Sequence, residues 1–181
     1  MKDLYFTRHG QTVWNVENKI CGATDIALTE NGHKQAEELG MNIMKELKSG
    51  RIYIDEILSS PLQRAFDTAK HISDATGLEL SVDMRLTEQN FGKYESTPRN
   101  GAEFHEAKKE FISHYGTGES MLGMAQRIYN LLDDIKRDDK IYLLVAHNGI
   151  ARFVQSYFED MTNEEFSAFG IKNCELRHYK I

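Results

Sequence analysis

Arg8 and His9 close a short apolar run (Leu4, Tyr5, Phe6) and precede Gly10. His147 closes a second run, Ile141 to Ala146, and precedes Asn148 and Gly149. Arg64 follows Ser60-Pro61-Leu62-Gln63, and Glu88 sits in the turn-rich stretch Leu86 to Gly92. These residue types suit one chemistry, the handling of a phosphoryl group. Arginine meets several phosphate oxygens with a planar fork of donors. A neutral imidazole is a competent nucleophile towards phosphorus. Arg8 and Arg64 disfavour the imidazolium, so they hold His9 in its reactive form. His147, if protonated, donates to an equatorial oxygen and stabilises the charge of the transition state. Glu88 can protonate a leaving alkoxide. Taken singly, each group is ordinary: a turn, a solvated helix arginine, a surface carboxylate.

Elements that bring these groups together are legible in the pattern. Leu4 to Thr7 reads as a buried strand, and residues 10–29 as a long functional loop. Thr29 caps a helix whose apolar face is Ala36, Leu39, Ile43 and Leu47, stopped by Ser49-Gly50. Ile54, Ile57 and Leu58 suggest a second strand. Ser60 as cap, Pro61 at the first helical position and Gln63 as the box partner predict a helix running to about Ala75 and ending at Gly77. Arg64 then lies in its first turn, where helix amides favour an anion. Leu78 to Val82 forms a short strand, and Ala102 to His114 a helix. Ser120 caps a helix that buries Met124, Ile128, Leu131, Leu132 and Ile135. The run 141–146 is a central strand covered on both faces. Residues 149–158 are helical, and Ile171 to Ile181 is a terminal strand or hairpin. Strands alternating with helices give a three-layer α/β/α sandwich with a mostly parallel sheet. In such sheets ligands bind outside the carboxyl ends of the strands, where both histidines fall.

Bulk properties narrow the partners. The 181 residues form a single domain, 1–181, with 89–117 as a substrate-side lid or insertion. A formal charge of −6 argues against nucleic-acid or membrane partners and leaves room for a small anionic substrate in a locally positive pocket. Two distant cysteines, Cys21 and Cys174, imply no disulfide framework. With no signal-peptide or membrane-length apolar segment, the expected compartment is the cytoplasm. The other histidines lack metal-ligand spacing. Trp14, Phe91, Tyr94, Phe104, Phe111 and Tyr115 are candidates to line the substrate side or to pack helices. The oligomeric state is open, with an edge-strand homodimer among the arrangements the pattern allows.

Several segments taken in order carry a resemblance. T-R-H-G-Q-T at 7–12 followed by Asn15, C-G-A-T-D-I-A-L-T-E-N-G at 21–32, S-S-P-L-Q-R-A at 59–65, L-T-E-Q-N-F-G at 86–92, G-E-S at 118–120 and V-A-H-N-G at 145–149 resemble the histidine phosphatase superfamily, the phosphoglycerate-mutase-like proteins. The match spans nearly the whole chain, and its order is more specific than any one motif. The resemblance implies that His9 is phosphorylated, that Arg8, Arg64 and His147 form the phosphate pocket, and that Glu88 is the proton donor. It implies that Asn15 and the backbone near Asn148 complete the anion contacts, that Cys21 and Gly22 border the substrate side, and that catalysis needs no metal or other cofactor.

Departures from the family pattern are informative. Glu95-Ser96 stands where Glu-Gly is frequent, and Asn148 stands where a second glycine is common. Between Glu88 and Gly118 the chain is short. Its only basic residues in 89–117 are Lys93, Arg99, His105, Lys108, Lys109 and His114, without the paired arginines of cofactor-dependent mutases. That favours a phosphomonoesterase of the phosphatase branch over a phosphoglycerate mutase. A non-catalytic phospholigand-binding protein is a further alternative, but such a protein has no use for Glu88. The small family members that the chain resembles include α-ribazole phosphatases and sugar-phosphate or broad-range phosphatases.

Overall fold

The computed structural model describes residues 1–181. Its centre is a five-stranded sheet of order β3-β2-β4-β1-β5, with β1 Asp3–Arg8, β2 Glu56–Ser59, β3 Glu79–Val82, β4 Tyr142–Ala146 and β5 Leu176–Lys180. The first four are mutually parallel, and β5 runs antiparallel along β1. The run 141–146 is thus the middle strand, and every residue of β4 is buried. Side chains alternate across it. Tyr142, Leu144 and Ala146 join Leu4 and Phe6 in a core beneath α5 (Met121–Arg137) and α6 (Asn148–Phe158). Leu143 and Val145 join Tyr5 and Ile57 against α2 (Glu30–Lys48) and α3 (Gln63–Thr76). Two buried faces explain the unbroken apolar run. No helix is long and apolar enough to cross a membrane.

Thr29 caps α2 through the Gly32 amide, and Ser120 caps α5 through that of Gly123. Each such cap contributes about 1 kcal/mol. Gly77 ends α3 in the left-handed conformation, φ 76°.

Four local expectations are corrected. The loop 10–29 contains a short helix, α1 (Val13–Val16), because Thr12 and Asn15 form a capping box. Ser60 does not cap α3; the helix starts at Gln63 with no side-chain cap, and the Ser60 hydroxyl is turned to His147 instead. The helix expected to reach His114 ends early: α4 is only Ala102–Ala107. Phe104 alone is buried there, Phe111 and Ile112 are exposed, and Tyr115 and Gly116 take positive φ. No continuous buried face remains to support a longer helix. The terminal strand is confined to 176–180, preceded by another helix, α7 (Asn163–Ala168), under a Thr162–Glu165 capping box.

The stretch 89–117 builds a small core of its own from Phe91, Phe104 and Tyr115 with Ile20 of the early loop. Tyr94 packs against it. These aromatics therefore serve both as packing and, through Phe91 and Phe104, as cavity wall.

Candidate active site

Parallel pairing sets the site. Arg8 is in register with Ala146, and Ser59 with Val145. His9, His147 and Ser60 therefore leave three neighbouring strands at the same end of the sheet. The His9 and His147 rings lie 5.2 Å apart between centroids, tilted by 59°. His9 is 4% exposed, Arg64 1% and His147 fully buried.

Hydrogen bonds decide the protonation of His9. Its Nδ1 lies 2.7 Å from the Gly10 carbonyl. A carbonyl only accepts, so Nδ1 carries the proton. Burial first, then the Arg64 and Arg8 guanidinium groups, hold the ring pKa well below the ordinary histidine value. The ring is thus neutral, with its lone pair on Nε2 free to attack. The Gly10 amide donates to Thr68 Oγ1 at 3.0 Å, and Asn173 Nδ2 donates to the His9 carbonyl at 2.8 Å, so the backbone around the ring is held from both sides.

His147 corrects an expectation. Burial, then Arg64, keep its pKa well below the ordinary value, so the free ring is not an imidazolium. Its Nε2 lies 2.7 Å from Ser60 Oγ. The only other partner of that hydroxyl is the Leu62 amide, which can only donate, so Nε2 is the one acceptor within reach of the hydroxyl hydrogen. The ring proton then resides on Nδ1.

The two arginines are anchored by carbonyls. Arg64 donates to Gly22 O at 2.6 Å and Thr24 O at 2.9 Å. Arg8 donates to Ile171 O at 3.0 Å, and burial lowers its pKa to about 10. Four buried polar side-chain atoms have no hydrogen-bond partner within the protein, and three of them are Arg8 Nε, Arg64 Nε and His147 Nδ1. Buried donors are almost always satisfied. Three unsatisfied nitrogens on side chains that act on His9 are open to the oxygens of an added anion.

Glu88 is buried and fixed by backbone amides. Gln89 N donates to Oε1 and Gly149 N to Oε2, both at 2.9 Å. A Cβ at position 149 would overlap Glu88 Oε1, so glycine lets the α6 amide meet the carboxylate where it stands, and a larger residue would displace it. A cavity of about 240 Å³ adjoins the group, lined by Glu88, Asn148 and Gly149 together with Cys21, Ile20 and Phe91 among others. The two histidines, Arg8 and Arg64 do not line it.

The remaining expected contacts are placed as follows. Asn15 spends its carbonyl on the Thr12 and Asn173 donors, leaving its amide nitrogen as the free end. Asn148 accepts the Ile171 amide and borders the cavity. Cys21 lines the cavity with a thiol that burial pushes up in pKa, so it is no thiolate nucleophile. Gly22 contributes its carbonyl to Arg64.

Sequence reasoning missed four residues. Ser60 was read as a cap. Asn173 lies in the segment 171–181, which the sequence marks as a terminal strand or hairpin and not as part of a site. Glu95 accepts the amides of Gly22, Ala23, Thr24 and Phe91 and the Thr24 hydroxyl, fixing the turn whose carbonyls hold Arg64; only its place where the family has Glu-Gly hinted at it. The following Ser96 takes φ 66°, a left-handed value that glycine adopts more easily. Arg152 lies one helical turn beyond Asn148 on α6 and faces the same cavity.

An α/β sandwich that presents two neutral histidines at its strand ends, with the half-buried Arg8 and the buried Arg64 beside them, defines an enzyme of the phosphate-ester class. The chain belongs to the histidine phosphatase superfamily, branch 1, whose family model matches residues 4–181. It is 35% identical over 159 residues to "Putative phosphoserine phosphatase 2" of Hydrogenobacter thermophilus, covering 82% of this chain and 74% of that one. It is 36% identical over 187 residues to "Probable phosphoglycerate mutase GpmB" of Erwinia tasmaniensis, covering 97% and 83%. Among solved structures it resembles a mycobacterial glucosyl-3-phosphoglycerate phosphatase complexed with VO3, with TM-score 0.82, 26% identity and coverage of 98% and 90%.

Proposed function

We propose that this protein hydrolyses a small phosphorylated metabolite in two steps through a phosphohistidine on His9, without a metal. In the first step the Nε2 lone pair forms the N–P bond as the ester P–O bond breaks, and Glu88 in its acid form gives its proton to the departing oxygen. In the second, water attacks the same phosphorus, Glu88 takes the water proton, and the N–P electrons return to Nε2. Arg8, Arg64 and the Nδ1–H of His147 hold the phosphoryl oxygens throughout, so the steps gain from positioning and electrostatics. The observation that carries this reading is the His9 Nδ1 to Gly10 carbonyl bond, which presents the opposite nitrogen as the base-free nucleophile.

Hydrolysis of a phosphate-ester panel by wild type and His9→Ala, with and without EDTA, tests it. The panel includes α-ribazole 5′-phosphate and sugar phosphates. It adds phosphoserine and glucosyl-3-phosphoglycerate because relatives bear those names. Turnover is expected to survive EDTA and to fall by about 10⁴-fold or more in His9→Ala. Quenched wild type should carry an acid-labile, alkali-stable phosphoryl group on His9. A group on another residue, or none during steady turnover, overturns the assignment. Isomerase activity that requires a bisphosphate primer would replace hydrolysis with the mutase reaction.

A further inference from the structure

Glu88 stands on backbone that no ladder holds: residues 87–90 belong to no helix or strand. The amides of Gln89 and Gly149 fix its carboxylate only as well as they are themselves supported. Gly149 rides on α6. Gln89 has no such element, and its support comes from a residue far along the chain, Arg127 of α5.

One guanidinium brackets the acid segment. Arg127 Nε and Nη2 donate to the two carboxylate oxygens of Glu119 at 2.7 and 2.8 Å, and Nη1 donates to the Arg85 carbonyl. Glu119 passes the support on. Its carbonyl accepts the Gln89 side-chain amide at 3.0 Å, and its amide donates to the Asn90 carbonyl at 2.8 Å. Gln89 in turn gives its backbone amide to Glu88 Oε1. Upstream, Arg85 lies in the single 3-10 turn Met84–Leu86, and its own side chain reaches α5 at Asp134, 2.6 Å away. Both points that Arg127 holds therefore flank Glu88. Glu119 precedes the Ser120 cap, and Arg127 lies about two turns into α5. That is not the one-turn spacing by which pairs meet on a helix face.

A partly exposed ion pair contributes little to stability by itself, and these two side chains are 20% and 27% exposed. A two-pronged arginine–carboxylate contact does fix geometry. The charge of Arg127 also reaches the site: after burial, Arg64, His9 and Arg8, it adds to the lowering of the His147 pKa. We propose that Arg127 is a positioning residue for the proton donor: held between Glu119 and the Arg85 carbonyl, it keeps the Glu88 carboxyl aimed at the leaving oxygen without touching substrate. This rests on the reading of Glu88 as proton donor. A misplacement near 1 Å of such a group can cost about 100-fold in rate, so support at this distance from the chemistry has a measurable consequence.

Benzyl phosphate and p-nitrophenyl phosphate test it, being similar in size and opposite in how much protonation the leaving oxygen needs. Their kcat/KM values report the step that forms the phosphohistidine. Arg127→Met is expected to lose about 10-fold to 100-fold on benzyl phosphate and less than about 5-fold on p-nitrophenyl phosphate. Gln89→Met cuts the same relay while leaving the Arg127–Glu119 pair whole, and should show the same bias even where Arg127→Met fails to fold. Arg127→Lys keeps the positive charge but cannot span both partners as a fork, so the bias should persist at reduced size. Inhibition by inorganic phosphate should stay near the wild-type level, because Arg8, Arg64 and His147 are untouched. Equal losses on the two esters, or phosphate inhibition that weakens in step with them, would mean general loosening and overturn the proposal. Full recovery in Arg127→Lys would assign the effect to charge and overturn it as well. Glu88→Gln is the reference for a lost donor. If that variant shows no bias between the esters, the parent reading of Glu88 falls instead.

Discussion

Ser60 Oγ lies 2.7 Å from His147 Nε2, joining the residue after β2 to the residue after β4. The contact does what a cap would not. It occupies Nε2 and leaves Nδ1 as the buried ring nitrogen with no partner within the protein. A neutral imidazole can then stabilise an anion with one well-placed N–H, and no imidazolium needs to be buried beside Arg64 and Arg8.

Ser60→Ala should free the His147 ring to take either tautomer. We expect kcat to drop about 10-fold to 100-fold, below the loss for removing an oxyanion donor outright. Nitrogen NMR of labelled histidine reads the tautomer directly. Wild type should show the proton on Nδ1, and Ser60→Ala a mixture. An unchanged tautomer in the variant would show that Ser60 does not set it.

Glu95 acts at a distance from the reacting atoms. Its carboxylate gathers the amides of Gly22, Ala23 and Thr24, and that turn hands Gly22 O and Thr24 O to Arg64. Glu95→Gln replaces an acceptor oxygen with an NH2 that faces donors. Chemical denaturation should show a loss of about 1–3 kcal/mol. Inhibition by inorganic phosphate should weaken in parallel, because Arg64 loses its fixed aim. Weakened stability with unchanged phosphate inhibition would confine Glu95 to holding the loop.

How much of this was readable beforehand follows from what each residue responds to. The strands β1 and β4 were legible because both faces of the sheet are covered and their runs are unbroken. Caps at Thr29 and Ser120 were legible because they use local hydrogen bonds. Arg8, His9 and His147 could be placed together because they end β1 and β4, whereas Arg64 and Glu88 stood out through the ordered motifs at 59–65 and 86–92. Ser60 was misread because two local grammars compete for a serine before proline, and a partner 87 residues away won. Arg152 and Arg99 were invisible as a pair because only the packing of 89–117 over α6 brings them together. The helix after Ala102 was overlong because amphipathic spacing continues in sequence where the protein offers no surface to cover it.

Gly149 gives a sharp steric test. Its amide reaches Glu88 Oε2 at 2.9 Å, and an added Cβ would meet Oε1. The carboxylate is the movable partner, so Gly149→Ala should fold while pushing Glu88 aside. A displacement near 1 Å of a catalytic group can cost about 100-fold in rate. The loss should be largest for esters with poor leaving groups and smaller for p-nitrophenyl phosphate, whose leaving oxygen needs little protonation. Equal losses for both would mean that the variant disturbs phosphate binding rather than the proton donor.

The two neutral histidines tie stability to pH with a defined sign. In the fold both have pKa values well below the ordinary one, burial being the largest cause and Arg64 the next. In the unfolded chain they titrate near 6.5. Their contribution is therefore complete above about pH 6.5 and declines as pH falls, because the unfolded state binds protons that the fold refuses. Each histidine lowers the unfolding free energy by up to about 1.4 kcal/mol per pH unit below that point, and the pair by about 2.7. The double variant His9→Gln/His147→Asn should show a correspondingly shallower decline between about pH 6.5 and 5.5, measured by urea unfolding at matched ionic strength. Nucleophile protonation is also displaced to acid, so the acid limb of kcat/KM should follow the second ionisation of the ester, near 6, rather than a histidine. Parallel stability profiles for wild type and the double variant would mean that these rings bind protons in the fold, and the neutral-nucleophile account of His9 would fall with them.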